Sequence, residues 1–338
     1  MNTKNYIQMT SLIAATLLTA PALANTSIYD NSATALNINM LTDTFIYYAN
    51  RGQTLSDFFT NKRLYSTMRR VDEYGDDGST LKTDYQDDTT DSNPLFHDVW
   101  IDAQHINEQA HYNHAGSKRA RFNLVTLGTD TKSAELKYGS IYFGAFAGYI
   151  NSDVAHVDSD GAVGGVFLHY DLRNLDTAFI ANIGSLNSNT GDTDFNNSWT
   201  NFALDVKAKF NLDKTLLIQP GVSLAYTFVS SDDLYVNNET VWSKDYNFFN
   251  VSPSVKFIKE IVPNWYGALS AKYVAHFGGD NDIHIGNIKH NGIDTDNYTD
   301  IGIDAEYDFK QYVFTGQVHK QIGGYDGWSG GVNVKYIF

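Results

Sequence analysis

The 338-residue chain contains no cysteine, which excludes disulfides, thiol nucleophiles and thiolate metal sites. Beyond its N-terminal end it has no run of about twenty apolar residues, so no transmembrane helix is expected. Cations are scarce: 24 Lys and Arg against 39 Asp and Glu give a formal net charge of -15 at pH 7. A phosphate backbone would repel such a chain, which argues against nucleic acid as a partner. Aromatic residues, by contrast, are plentiful: 22 Tyr, 20 Phe and 5 Trp in a chain whose mean hydropathy is -0.33. Apolar residues are therefore numerous but scattered, a composition that suits a transmembrane β-barrel, whose lipid-facing residues alternate with polar ones.

Lys4 precedes a largely apolar stretch from Met9 to Leu18, and Ala22-Leu23-Ala24 is a small-x-small cleavage signature. This pattern predicts a secretory signal peptide over residues 1–24. Its removal leaves 338 - 24 = 314 residues, and the loss of Lys4 takes the formal charge from -15 to -16. Residues 25–94 form a short N-terminal segment, a helix and a linker. Near 54–71 the pattern is helical: Thr54 and Asp57 have capping-box spacing, and Leu55, Phe58 and Phe59 share a face. Lys62, Arg63, Arg69 and Arg70 fill the C-terminal half, where cations suit the helix dipole. Residues 72–94 carry eight Asp or Glu among Gly, Ser and Thr and read as an acidic linker.

From Leu95 to the end the period is two. In Ile301 to Phe309 one face is Ile301, Ile303, Ala305, Tyr307 and Phe309, and the other is Gly302, Asp304, Glu306 and Asp308. Phe202 to Phe210 and Trp328 to Phe338 alternate in the same way, and about twelve such segments can be found. The second face of each is too polar for a sandwich core. Connection lengths alternate too. Short turns at 171–175, 211–214, 260–263 and 308–310 are separated by long polar stretches at 187–197, 230–246 and 278–297, the asymmetry of a barrel threaded through a membrane. The turn expected near 129–137 reads as nine residues and fits less well. Pro220 and Pro253 fall inside strands, on the outward phase, where a closed barrel offers no edge to absorb a missing N–H. The expected fold is an all-β transmembrane barrel of about twelve antiparallel strands over 95–338.

Several pieces, in order, resemble the translocator unit of the classical autotransporters, the type V secretion family. They are Asn61-Lys62-Arg63-Leu64 with Met68-Arg69, then Val99-Trp100-Ile101 and Leu127-Gly128-Thr129-Asp130. Pro220 to Tyr226 and the closing Val332 to Phe338 complete the set, which covers about nine-tenths of the chain. The resemblance implies a barrel in the outer membrane of a Gram-negative bacterium, a helix inside its pore and an N-terminal passenger carried to the cell surface. It also implies that the outer-membrane assembly machinery, with periplasmic chaperones, reads a C-terminal aromatic signal, here Tyr336 and Phe338. Only about thirty residues separate the expected cleavage site from the helix, too few for a β-helix passenger. Phe58 and Phe59 stand where serine-protease autotransporters have the Asn-Asn pair of passenger cleavage, so that cleavage is not carried over.

In this reading Asn61 meets pore water, and Lys62, Arg63, Arg69 and Arg70 face lumen carboxylates at Asp102, Asp205, Asp300, Asp304 and Glu306. The protein is expected to be a monomeric barrel in outer-membrane lipid. A channel or structural outer-membrane protein on the same barrel is the alternative, and a cationic segment in the lumen would count against it. No cofactor or catalytic activity is expected. Asp232 and Asp233, and Asp280, Asp282, His284 and His290, form acid and histidine neighbourhoods in outer loops, but these read as solvated loop residues without a nucleophile motif. Gly164-Gly165 and Gly330-Gly331 sit within strands and read as close packing.

Overall fold

The computed structural model describes residues 98–112, 116–136, 139–154, 157–189, 194–213, 215–236, 239–243, 246–278, 283–285, 288–290 and 297–338. The expected signal peptide, helix and linker lie outside the described residues, and with them Asn61, Lys62, Arg63, Arg69 and Arg70.

In chain order the strands are β1 (Asp98–Tyr112), β2 (Gly116–Leu136), β3 (Gly139–Val154), β4 (Val157–Leu172), β5 (Leu175–Asn189), β6 (Asp194–Ala208) and the short β7 (Phe210–Asn211). They continue with β8 (Leu216–Ser231), β9 (Leu234–Val236), β10 (Glu239–Ser243), β11 (Tyr246–Val262), β12 (Trp265–Gly278), β13 (Ile283–Ile285) and β14 (Ile288–His290). Last come β15 (Tyr298–Phe309), β16 (Tyr312–Gly323) and β17 (Tyr325–Ile337). Twelve of them, β1 to β6, β8, β11, β12 and β15 to β17, pair antiparallel in one ring, with β7 prolonging β6. The ring closes because β17 pairs with β1, from Asp98 opposite Ile337 to Ala110 opposite Tyr325.

Both ends of the ring therefore lie on one rim, which also carries the tight turns after β2, β4, β7, β11 and β15. Asn264 and Lys310 take left-handed backbone in two of these turns, with φ of 68° and 56°. Asp213, exposed in the β7–β8 turn, accepts hydrogen bonds from the Thr215 N–H (2.7 Å) and hydroxyl (3.0 Å), which hold its carboxyl below the usual carboxylate range. On the opposite rim two long connections contribute β9, β10, β13 and β14 to a separate four-stranded sheet.

Three local expectations change. Strand β2 runs on to Leu136 through an irregularity between Lys132 and Ala134, so the nine-residue turn is mostly strand. The stretch 187–197 is mostly ladder as well, since β5 reaches Asn189 and β6 starts at Asp194. At the prolines the ladder skips without a change of register. Lys207 pairs with Gly221 and Phe210 with Ile218, and the two rungs between them, where Ala208 faces Pro220 and Lys209 faces Gln219, are missing. Val251 pairs with Ala275 and Ser254 with Lys272, and the rungs between them, at Ser252 and Pro253, are missing. Each proline keeps its ladder on the other side, where Pro253 pairs with Val222 and Val255 with Pro220. Each is thus placed where its missing N–H interrupts only one of its two ladders.

The outer surface shows why these strands form a barrel in lipid. On β3 the outward residues are Ile141, Phe143, Ala145, Ala147 and Tyr149, spanning roughly 26 Å along a tilted strand. At a tilt of about 40° that stretch rises about 20 Å, most of the about 25 Å apolar band of a membrane barrel. Ile101, Leu127, Ile183, Ile303 and Val332 continue the band and are exposed. Toward the rim with the chain ends an aromatic girdle crosses β12 to β17: Trp265 stacks on Tyr307 (4.6 Å), Tyr312 meets Tyr336 (5.1 Å) and Tyr336 meets Phe338 (5.0 Å). Aromatic rings of this kind favour the membrane–water interface.

Toward the other rim the outward face changes character within one rung. In register across β1 to β6 stand His105, Asn123, Asn151, Asp160, Asn187 and Asn196. The next outward rung is Asn107, Arg121, Asp153, Asp158, Asn189 and Asp194. A polar collar thus stands directly above the apolar band.

Candidate functional site

The inward phase of the same strands builds the lumen, whose wall mixes apolar and polar side chains all the way round. On β2 to β6 Phe122, Leu124, Ile150, Phe167, Leu186 and Trp199 are buried beside Asn182, Asn201 and Asp205. On β8, β11, β12, β15 to β17 and β1, Trp100, Ile258 and Tyr298 are buried beside Asn250, Lys256, Asp300, Asn333 and Asp102. Glycines make room for the larger rings. A Cβ on Gly128 would lie 2.0 Å from the indole of Trp100, and one on Gly184 2.0 Å from that of Trp199.

Asp102, Asp205, Asp300, Asp304 and Glu306 all stand on the lumen side and are buried. Asp205 and Asp300 line one cavity, and Asp304 binds two of its lining residues. Asp205 binds Lys207 at 2.6 Å. Asp304 binds Lys256 at 2.7 Å and the Nε2 of His319 at 3.1 Å, while the Nδ1 of His319 meets Asp300 at 2.7 Å. Gln321 donates to the second oxygen of Asp300 at 3.4 Å. Asp102 and Glu306 lie elsewhere on the wall, and Glu306 accepts from the Thr315 hydroxyl at 3.3 Å. Lys256, Lys272 and His319 line the same cavity, of about 80 Å³, room for a few waters.

Near the rim with the chain ends, Lys209 binds Asp171 at 2.6 Å, and Asp176 meets the Nε2 of His169 at 2.9 Å. Lys335 of β17 binds Asp98 of β1 and approaches Asp130 of β2 at 3.7 Å, spanning the seam on the lumen side. These lysines and His319 share the inward phase of the expected carboxylates, so alternation could have found them. Their pairing joins different strands and left no signal in the sequence.

Tyr336 and Phe338 follow Val334 on the outward phase, and Phe338 is exposed at the rim. Of the loop acids, Asp232 is exposed and accepts from the Asn196 side chain at 3.0 Å. Asp280 and Asp282 lie outside the described residues, while His284 is opposite Lys289 and His290 opposite Ile283 in the small sheet.

A closed ring of twelve antiparallel strands, apolar outside and lined within by polar and apolar side chains together, defines a membrane-spanning β-barrel. Its fold is that of autotransporter translocator domains. The transport unit of the autotransporter AIDA-I from Escherichia coli matches with a TM-score of 0.63 at 16% identity, over 74% of this chain and 93% of that one. The translocator domain of autotransporter NalP from Neisseria meningitidis matches at 0.60 and 13% identity, over 86% of this chain and 98% of that one. The beta domain of the Bordetella autotransporter BrkA matches at 0.58 and 13% identity, over 72% and 100%. No protein-family model matches the sequence, and no curated protein matches it.

Proposed function

We propose that this protein is an autotransporter-type translocator barrel that carries or anchors its own short N-terminal segment at the surface of a Gram-negative cell. The observation that carries this reading is the burial of the lumen wall. Ile106, Val154, Val157, Ile180 and Leu186 face inward and are fully shielded from solvent. The side chains of about eight strands just fill a barrel's interior, and a wider ring leaves open space. In a twelve-stranded ring a further occupant would account for this shielding, and the cationic segment 54–71, expected to be helical, has the length and charge to be it.

In this reading the chain leaves the inner membrane by its signal peptide. Periplasmic chaperones and the assembly machinery insert it into outer-membrane lipid as a monomer, with the rim of Asp98 and Ile337 in the periplasm. The helix runs up the lumen, and residues 25–53 emerge outside. Its cations then face the lumen wall that carries Asp102, Asp205, Asp300, Asp304 and Glu306. Single-channel conductance tests this. Removing residues 25–71 should raise it, and charge reversal at Arg63 and Arg69 should loosen the plug in a salt-dependent way. Equal conductance with and without the segment would support the channel reading instead.

A further inference from the structure

The polar collar above the apolar band is not uniform in charge. Over β3 to β6 its outward positions carry Asp153, Asp158, Asp160 and Asp194 among amides, with no Lys or Arg among the described residues there. Across the closing seam, β16 to β2, the sign changes. Lys320 of β16 is opposite Trp328 of β17, Trp328 is opposite Asn107 of β1, and Asn107 is opposite Arg121 of β2. Arg119 is exposed on the same strand one outward rung higher, and His105 lies one rung below, bonded to Asn123 at 2.7 Å. In a chain of formal charge -15 this is a local concentration of cations, set at the upper edge of the apolar band.

From this arrangement we infer that the seam sector of the collar binds the phosphate groups of a phosphorylated glycolipid in the outer leaflet. The inference rests on the orientation proposed above. The side chains suit that chemistry. Arg121 is half-exposed and its guanidinium offers five N–H donors in a fork that matches phosphate, of which the Asp153 pair engages only some. Lys320 sits 5.5 Å from the Trp328 ring, paired with Asp326 at the surface. Exposed pairs of this kind are weak and exchange readily for a doubly charged partner. Trp328, 58% exposed, provides the interfacial ring that rests at headgroup depth while its neighbours reach the phosphates. The acidic sector over β3 to β6 would repel the same headgroups, so binding is confined to the seam.

The full chain in non-ionic detergent can be titrated with lipopolysaccharide and with the same material after phosphatase treatment. The parent should bind the phosphorylated form at least tenfold more tightly, and added salt should weaken it. Arg119→Ser, Arg121→Ser and Lys320→Ser together should abolish that preference, while Asp158→Asn with Asp160→Asn should preserve it. Heat-modifiable migration verifies that each variant is folded, and Arg121→Lys, which keeps the charge but loses the fork, gives a milder variant that should lose part of the preference. Equal binding of the two lipid forms by the parent, or a folded triple variant that binds as the parent does, would overturn the inference. So would saturation by inorganic phosphate alone at the lipid's own concentration, which would mark a site for the free anion. Orientation is read separately: Asn187→Cys in the cysteine-free chain should react with an impermeant maleimide on intact cells. If it does not, the proposed orientation fails; if it does and binding is unselective, only the lipid inference fails.

Discussion

Lys335, on the last strand, binds Asp98, the first residue of the first strand, across the line where the barrel closes. Both side chains are buried on the lumen side, and Asp130 of the second strand lies 3.7 Å from the same ammonium. One cation therefore ties three strands together at the rim where the ring begins and ends. Removing it leaves carboxylates without their counter-charge in a low-dielectric wall, a loss of about 3–5 kcal/mol in comparable buried pairs. Lys335→Met should lower the temperature at which the folded band converts to the unfolded one, and adding Asp98→Asn should recover part of the loss. An unchanged midpoint in Lys335→Met would mean that backbone pairing alone holds the seam.

Trp100 lies over Gly128 so closely that any Cβ there would strike the ring at 2.0 Å. Gly128→Ala should therefore cost about 1–3 kcal/mol as overpacking, and Trp100→Leu in the same chain should relieve it. Gly316→Ala is the control, because its Cβ would meet nothing within 4 Å. Equal melting of the two alanine variants would show that the Trp100 ring moves aside freely.

Leu127 and Asn123 both face outward on β2, two outward rungs apart, on either side of the polarity boundary. An arginine at Leu127 enters lipid and should destabilise by about 2–4 kcal/mol, depending on depth. At Asn123 it enters the collar and should change stability by no more than about 0.5 kcal/mol. Refolding equilibria in lipid vesicles measure the difference. Similar values for the two would move the boundary.

The terminal aromatics make a further test. Tyr336 and Phe338 pack edge to face at 5.0 Å on the outward side of β17. Deleting Phe338 should leave the protein unassembled in the periplasm, whereas Phe338→Tyr should assemble. Normal heat-modifiable barrel in the outer membrane after the deletion would refute an assembly role and leave plain lipid contact.

The strands were legible because a membrane barrel imposes one local rule, apolar out and polar in, on every second residue. Ile301 to Phe309 and Trp328 to Phe338 obey it without exception on their outward apolar or glycine phase, and so their limits were nearly right from the sequence. The rule lapses wherever water replaces lipid outside. Residues 187–197 are polar on most positions of both phases, so alternation vanished although the ladder between β5 and β6 continues. Thr129 to Leu136 hid the end of β2 in the same way. At the prolines a local rule was misleading in the other direction, because losing one N–H removes rungs on one side only and the other ladder keeps the register.

By itself the sequence determined the period, the apolar band, the polar inward phase and the aromatic end of the last strand, because each depends on a residue and its neighbours two places away. Only the tertiary structure decided that β17 meets β1, that Lys335 reaches Asp98 and that His319 stands between Asp300 and Asp304. It likewise set Lys320, Trp328, Asn107 and Arg121 in one row. These contacts join residues far apart in the chain, Lys335 and Asp98 by 335 - 98 = 237 positions, and nothing in the local alternation of a strand encodes which other strand will lie beside it.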